Sequence, residues 1–217
     1  MPLPFTTAQF FGVFAAYNQA VWPMQVLLLA AAGVAIAAAA RPGRASGAVV
    51  SAVLAGLWAW MGLAYHARFF AAINPLAYGF AALSLAAAAL FVWQGVVRRR
   101  LHFRWQRGPR GLAAAVTLVF ALVGYPAWAL VAGHRYPAFA TFGLPCPTTI
   151  FTVGMLALAV RPYPRSVLVV PVLWCLVGSQ AAFLLGVPQD LGLVAAAALG
   201  VGLALRPGAV ARHPQVR

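Results

Sequence analysis

The chain has 217 residues with 15 Lys and Arg, one acidic residue and a net charge of +14. Apolar residues make up 64% and charged residues 7%, against roughly 45–50% and about 25% in globular proteins. So few charges cannot cover a water-soluble surface, so a soluble domain is excluded. Nucleic-acid binding is excluded too, because the cations cluster at the ends of apolar runs instead of forming one basic face. All the cations are arginine, and Asp190 is the only acid.

The pattern predicts an all-α integral membrane bundle of about seven transmembrane helices. A first segment, 1–19, is read as an amphipathic helix on the outer surface. Thr6 and Gln9 have capping-box spacing, Phe5 and Phe10 staple spacing, and Phe10, Phe14 and Tyr17 share a face. The transmembrane domain, 20–205, follows, and 206–217 is a cytoplasmic tail. Spans are placed at 20–40, 48–68, 74–97, 111–133, 147–160, 165–187 and 188–205, since a crossing needs roughly 20 apolar residues. Met1 to Gln25 carries no charge, so no cleavable signal is expected. Of the arginines, Arg68 and Arg135 fall on one side of the predicted membrane and all others on the opposite side. The positive-inside rule then sets the amino terminus outside and the carboxyl terminus inside. The chain is expected in a bacterial inner membrane, with the lipid bilayer as its surrounding partner.

The fifth span is too short. Pro147 and Arg161 bracket 13 residues, about 20 Å of helix at 1.5 Å per residue, against a hydrocarbon core of about 30 Å. The preceding Phe142-Gly143-Leu144-Pro145-Cys146-Pro147-Thr148-Thr149 is too rich in proline for regular helix. A segment dipping in from outside is the favoured reading and a tilted span the alternative. Pro126 and Pro171, inside the fourth and sixth spans, are expected to kink their helices.

Polar side chains gather in the outer half and predict an outward-facing polar pocket; a polar and aromatic interfacial belt is the plainer account. Cys146 is the sharpest candidate. With Pro147 as first helical residue it becomes an N-cap, where free N–H groups favour thiolate or a bound anion, with Thr148 and Thr149 beside it. The plainer role is a small capping cysteine. His66, Asn74 and His134 surround it as ligand-binding candidates. His66, His134 and Cys146 are weak candidates for a metal site, since imidazole and thiolate are usual ligands but no HxxxH or CxxC spacing is present. Arg68 and Arg135 are read as partners of Asp190 or attractors of an anionic ligand, or as snorkelling side chains; Asp190 has helix capping as its plain role.

Absences narrow the choice. Without lysine there is no retinal Schiff base. Without glutamate there is no carboxylate pair, and no lysine-bearing phosphate loop exists for ATP. No cofactor is expected. Three functions remain open: a small permease or solute-binding membrane protein taking a small polar or anionic solute, a membrane-embedded thiol- or metal-dependent enzyme or redox protein, and a structural subunit without ligand. The first is preferred, and an enzyme is the less favoured class.

Several stretches resemble a known family. They are Phe5 to Gln9 with Phe14, Tyr17-Asn18-Gln19-Ala20-Val21-Trp22-Pro23, Tyr65-His66 with Phe69-Phe70 and Ile73-Asn74-Pro75, Gly133-His134-Arg135-Tyr136-Pro137, and Phe142 to Thr152 with its Pro-Cys-Pro-Thr-Thr core. Together they resemble an uncharacterised bacterial multi-pass membrane family, classed as a domain of unknown function, whose members are sometimes labelled permeases. The resemblance covers nearly the whole chain and implies an inner-membrane location.

Overall fold

The computed structural model describes residues 4–205. The expected tail 206–217, with Arg206, Arg212 and Arg217, lies outside the described residues. The described chain is helical, with no strand. Two helices come first, α1 (Thr7–Ala20) and α2 (Met24–Ala40), bent 85° from each other. Three membrane-length helices follow: α3 (Ser46–Ala72), α4 (Ala77–Val97) and α5 (Pro109–Val131). Then come the short α6 (Pro145–Ala157), α7 (Ser166–Leu184) and α8 (Pro188–Leu205). Five helices are thus long and apolar enough to cross a bilayer, and six if the bent α1–α2 pair counts as one broken span.

Local chemistry explains the boundaries. Thr6 caps α1: its hydroxyl accepts from Gln9 N–H at 3.2 Å, while the Gln9 side chain accepts from Thr6 N–H at 2.8 Å. Phe5 and Phe10 stack at 6.0 Å beside this cap. In α5, Pro126 does not break the helix. A π-turn over Phe120–Gly124 precedes it, and this widening accommodates a ring that would otherwise press on the carbonyl four residues back. α7 also continues through Pro171. A second π-segment, Met61–Ala67, lies in the outgoing half of α3 and carries Tyr65 and His66.

The outside of the bundle is apolar. On α5, Leu112, Val116, Val119 and Val123 form one stripe, each 61–67% exposed. Spacings of four, three and four put them on one face, and such a surface is stable against lipid and costly in water.

The short helix is the centre. Every residue of α6 except Cys146 is buried. α5, α7 and α8 pack around it, and Trp58 of α3 donates its indole N–H to Thr152 at 3.0 Å. A short helix this buried leaves both its ends inside the bundle, where backbone groups must find protein partners. At the carboxyl end, Arg104 N–H donates to Leu158 O at 3.0 Å and Val160 N–H to His102 O at 2.7 Å. Arg110 adds a guanidinium bond to Ala159 O at 2.6 Å, a cation on the negative end of a helix. At the amino end, Asn18 fastens the loop before α6. Its amide donates to Pro137 O at 2.7 Å and Phe139 O at 2.8 Å, and its oxygen accepts from Thr141 at 2.6 Å. Gln25 and Tyr136 both bond Asn18 O.

Gly143 makes the final turn into α6. Its φ of 100° belongs to glycine, and a Cβ there would strike Leu28. Gly186, with φ 68°, faces open space. Gly143→Ala is therefore expected to lower stability by about 1–3 kcal/mol, and more than Gly186→Ala, in thermal unfolding of the detergent-solubilised protein. Arg110→Met leaves the Ala159 carbonyl without its cation and should cost about 1–3 kcal/mol in the same assay.

Candidate functional site

Beside the amino end of α6 lies a cavity of about 280 Å³, just below the roughly 300–1,000 Å³ usual for ligand pockets. α1 supplies Phe10 and Phe14, the π-segment of α3 supplies Tyr65 and His66, and α7 supplies Trp174. Leu144, Pro145 and Cys146 form the wall at the start of α6. The cavity is thus lined largely by aromatic and aliphatic groups, where the sequence points to a polar cup. Most of the outer polar residues serve the fold instead, as Asn18, Gln25, Thr141 and Tyr136 do in the hydrogen bonds above.

His66 is the outstanding polar group. It is 0% exposed, and neither ring nitrogen has a hydrogen-bond partner among the described residues. Trp174 lies 4.9 Å away, edge to face, with Phe80 at 5.7 Å. Trp174 Nε1 is also buried and without a partner. Buried polar atoms are nearly always bonded, so each such orphan requires a reason. Asn74 lines the same cavity, with its Oδ1 accepting from Leu76 N–H at 3.1 Å.

Cys146 is a free, half-buried thiol on the cavity wall. It is not the N-cap. Leu144 holds that position, Pro145 is the first helical residue and Cys146 the second. The anion reading weakens for the same reason. Pro145 and Pro147 have no N–H, and Thr148 N–H is spent on Leu144 O. Only the Cys146 amide remains at this helix end. Near Cys146 stands the sole side-chain carboxylate: Tyr125 OH donates to Asp190 Oδ1 at 2.6 Å, and Cys146 is close enough to interact electrostatically with Asp190. Asp190 is 1% exposed.

The remaining candidates fall elsewhere. Thr148 and Thr149 are fully buried and do not line the cavity. Thr148 Oγ1 accepts from Gly143 N–H at 3.1 Å and so holds the turn, while Thr149 Oγ1 has no partner among the described residues. His134 rests on Phe11, ring centroids 4.6 Å apart, away from the cavity. Arg68 and Arg135 are exposed. Among the described residues no ion pair joins either of them to Asp190, whose partner is instead Tyr125. His66, His134 and Cys146 do not converge, and no group of three or more His, Cys, Asp or Glu among the described residues is placed to hold a metal.

A model of a family of unknown function, DUF6064, matches residues 7–213. The chain belongs to that family. No curated protein and no solved structure matches it. The matched region takes in the cavity wall apart from Pro4 and Phe5, so most of the site described here is part of the family's domain.

Sequence reasoning placed His66, Asn74 and Cys146 together through their shared sidedness. It passed over Trp174 and Phe80, whose aromatic character reads equally as core. The one cue for Trp174 was a large indole in an otherwise aliphatic span.

Burial against Phe11 and its surroundings lowers the pKa of His134 below its ordinary value. The folded state therefore resists protonation, while the unfolded chain takes up a proton near pH 6.5. Stability from neutral His134 is complete above about pH 6.5 and is lost as pH falls below it. The natural protein should lose stability relative to His134→Gln between about pH 7.5 and about pH 5.5, as read by thermal unfolding at each pH.

Proposed function

We propose that this chain is a solute-binding membrane protein of permease type, embedded in a bacterial inner membrane with its cavity toward the extracytoplasmic side. The observation that carries this reading is His66: an imidazole with two unmet nitrogens, fully buried, on the wall of a cavity that ends at the start of a central helix. Enclosed aromatic cavities with a few convergent polar groups are the usual form of small-molecule sites. Polar groups kept at membrane depth mark function more often than packing.

The seven-crossing topology, amino terminus out, fits the bundle's two unlike ends. Arg41, Arg44, Arg98, Arg99, Arg100, Arg104 and Arg107 are all exposed, and the segment bearing the last five meets α6 at its carboxyl end. The cavity lies at the other end, with α1 across it. α6 then acts as a half-length crossing completed by non-helical backbone at both ends.

Asp190, Tyr125 and Cys146 support a second reading, a thiol-dependent membrane enzyme. Under it Cys146→Ser abolishes turnover, whereas solute binding survives that change.

The two cysteines of the chain make access testable. In a Cys175→Ser background, a membrane-impermeant maleimide should label Cys146 in right-side-out vesicles and not in inverted ones. Added to a cysteine-free chain, Arg135→Cys should label from outside and Arg104→Cys from inside. Labelling of Cys146 only in inverted vesicles, or reversal of the two reporters, would overturn the proposed orientation.

A further inference from the structure

The unmet hydrogen-bonding functions of the cavity define a ligand chemistry, if the cavity is the solute site proposed above. Trp174 Nε1 is a donor only, and a neutral imidazole is one donor and one acceptor. Trp174 is 8% exposed, His66 0%, and among the described residues none of their side-chain nitrogens has a hydrogen-bond partner. Their rings are 4.9 Å apart and both residues line the cavity, so two donors and one acceptor lie unspent and buried beside one patch of its wall. The rest of that wall is aromatic: Phe5, Phe10, Phe70 and Phe80 surround the patch. Flat π-faces at this density favour a flat guest, through offset or edge-on ring contacts.

Charge is what the wall lacks. Among the described residues no arginine and no aspartate lines the cavity. Asp190 is engaged with Tyr125, and Arg68 and Arg135 are exposed elsewhere. An ionic guest seated against this wall would give up part of its hydration and find no counter-ion there, a cost that disfavours it. The anionic solute expected from the start of α6 loses its ground for the same reason, since that helix end offers a single amide.

We propose that the cavity binds a small, uncharged, planar molecule bearing a carbonyl beside an N–H or O–H donor, as in an aromatic carboxamide. The carbonyl accepts from Trp174 Nε1. The donor meets the acceptor nitrogen of His66, and the ring lies among the phenylalanines. Satisfying Trp174 Nε1 and one nitrogen of His66 removes most of the penalty of leaving these atoms bare, and a ligand lacking the polar pair would leave it in place. Selection therefore runs against both ions and plain hydrocarbons.

Three isosteres test this: 2-naphthamide, 2-naphthoate and 2-naphthylmethylammonium, in equilibrium dialysis against the full-length protein in lipid nanodiscs, with empty nanodiscs correcting for partition. The amide should bind saturably and at least about tenfold more tightly than either ion. Naphthalene, without the polar pair, should also bind about tenfold more weakly. His66→Leu and Trp174→Phe should each remove about tenfold of amide affinity. The selectivity of the unaltered protein stands as a test even where a variant does not fold. Equal or tighter binding of an ion overturns the ligand class and leaves a solute site in place. Equal binding of naphthalene overturns the hydrogen-bonding role of His66 and Trp174. If no compound binds while Cys146 labels from outside, the ligand class alone fails. If no compound binds and Cys146 does not label, both proposals fail.

Discussion

A helix too short to cross a bilayer occupies the middle of this bundle, and the rest of the structure answers to it. In lipid, each unpaired backbone group costs several kcal/mol. A full-length span meets this cost by its own ladder of hydrogen bonds. α6 cannot, so its ends must be met by other parts of the chain. Its carboxyl end receives Arg104, Val160 and the Arg110 guanidinium. Its amino end receives a loop whose shape is dictated by Asn18. Both arrangements require distant segments, which explains why a chain that reads as simple up-and-down helices contains so many long-range polar contacts.

These anchors also fix where the flexible-looking pieces go. Asn18 sits at the end of α1, just before the 85° bend into α2. By holding residues 137–141 it ties the loop before α6 to that corner. α1 is then pulled across the bundle end, with Phe10, Val13, Phe14 and Tyr17 turned inward. Trp60 locks the same corner by donating to Tyr17 OH at 2.7 Å. One asparagine therefore couples the α1–α2 corner to a loop that begins more than a hundred residues further along the chain.

Much of this was legible beforehand, and the limits are physical. Span periodicity located α3, α4, α5 and α8 within a few residues, because apolar length and flanking arginine are local signals. The capping box of α1 and the shortness of α6 were likewise local. The cap of α6 was misplaced by two residues: Pro145 and Pro147 both suit a first turn, and only the fold decides that Leu144 precedes it. Pairings across elements left no such trace. Nothing in the spacing of Tyr125 and Asp190 says that a phenol and not an arginine meets the carboxylate. Arg110 read as one more charge for topology, since a guanidinium at an interface and one on a helix terminus look alike in sequence. The cavity's polar members were found through sidedness, whereas its aromatic wall was hidden among residues equally suited to packing.

The cavity itself follows from the central constraint. A helix of 13 residues falls about 10 Å short of the hydrocarbon thickness, and its two ends are treated differently. At the arginine-rich end the gap is closed by backbone pairing between 102–104 and 158–160. At the opposite end the Asn18-held loop fills only one side of the missing turns. The other side is walled by α1, the π-segment of α3 and α7, and it stays open. A π-segment there turns Tyr65 and His66 into the gap, in keeping with the frequent use of such segments at functional sites. A bundle built only for stability would fill this space with a longer helix or a larger side chain, as voids forfeit contact energy. Here the space is retained, and the groups facing it include an imidazole and an indole with nothing to bond. Packing economy alone does not account for that combination.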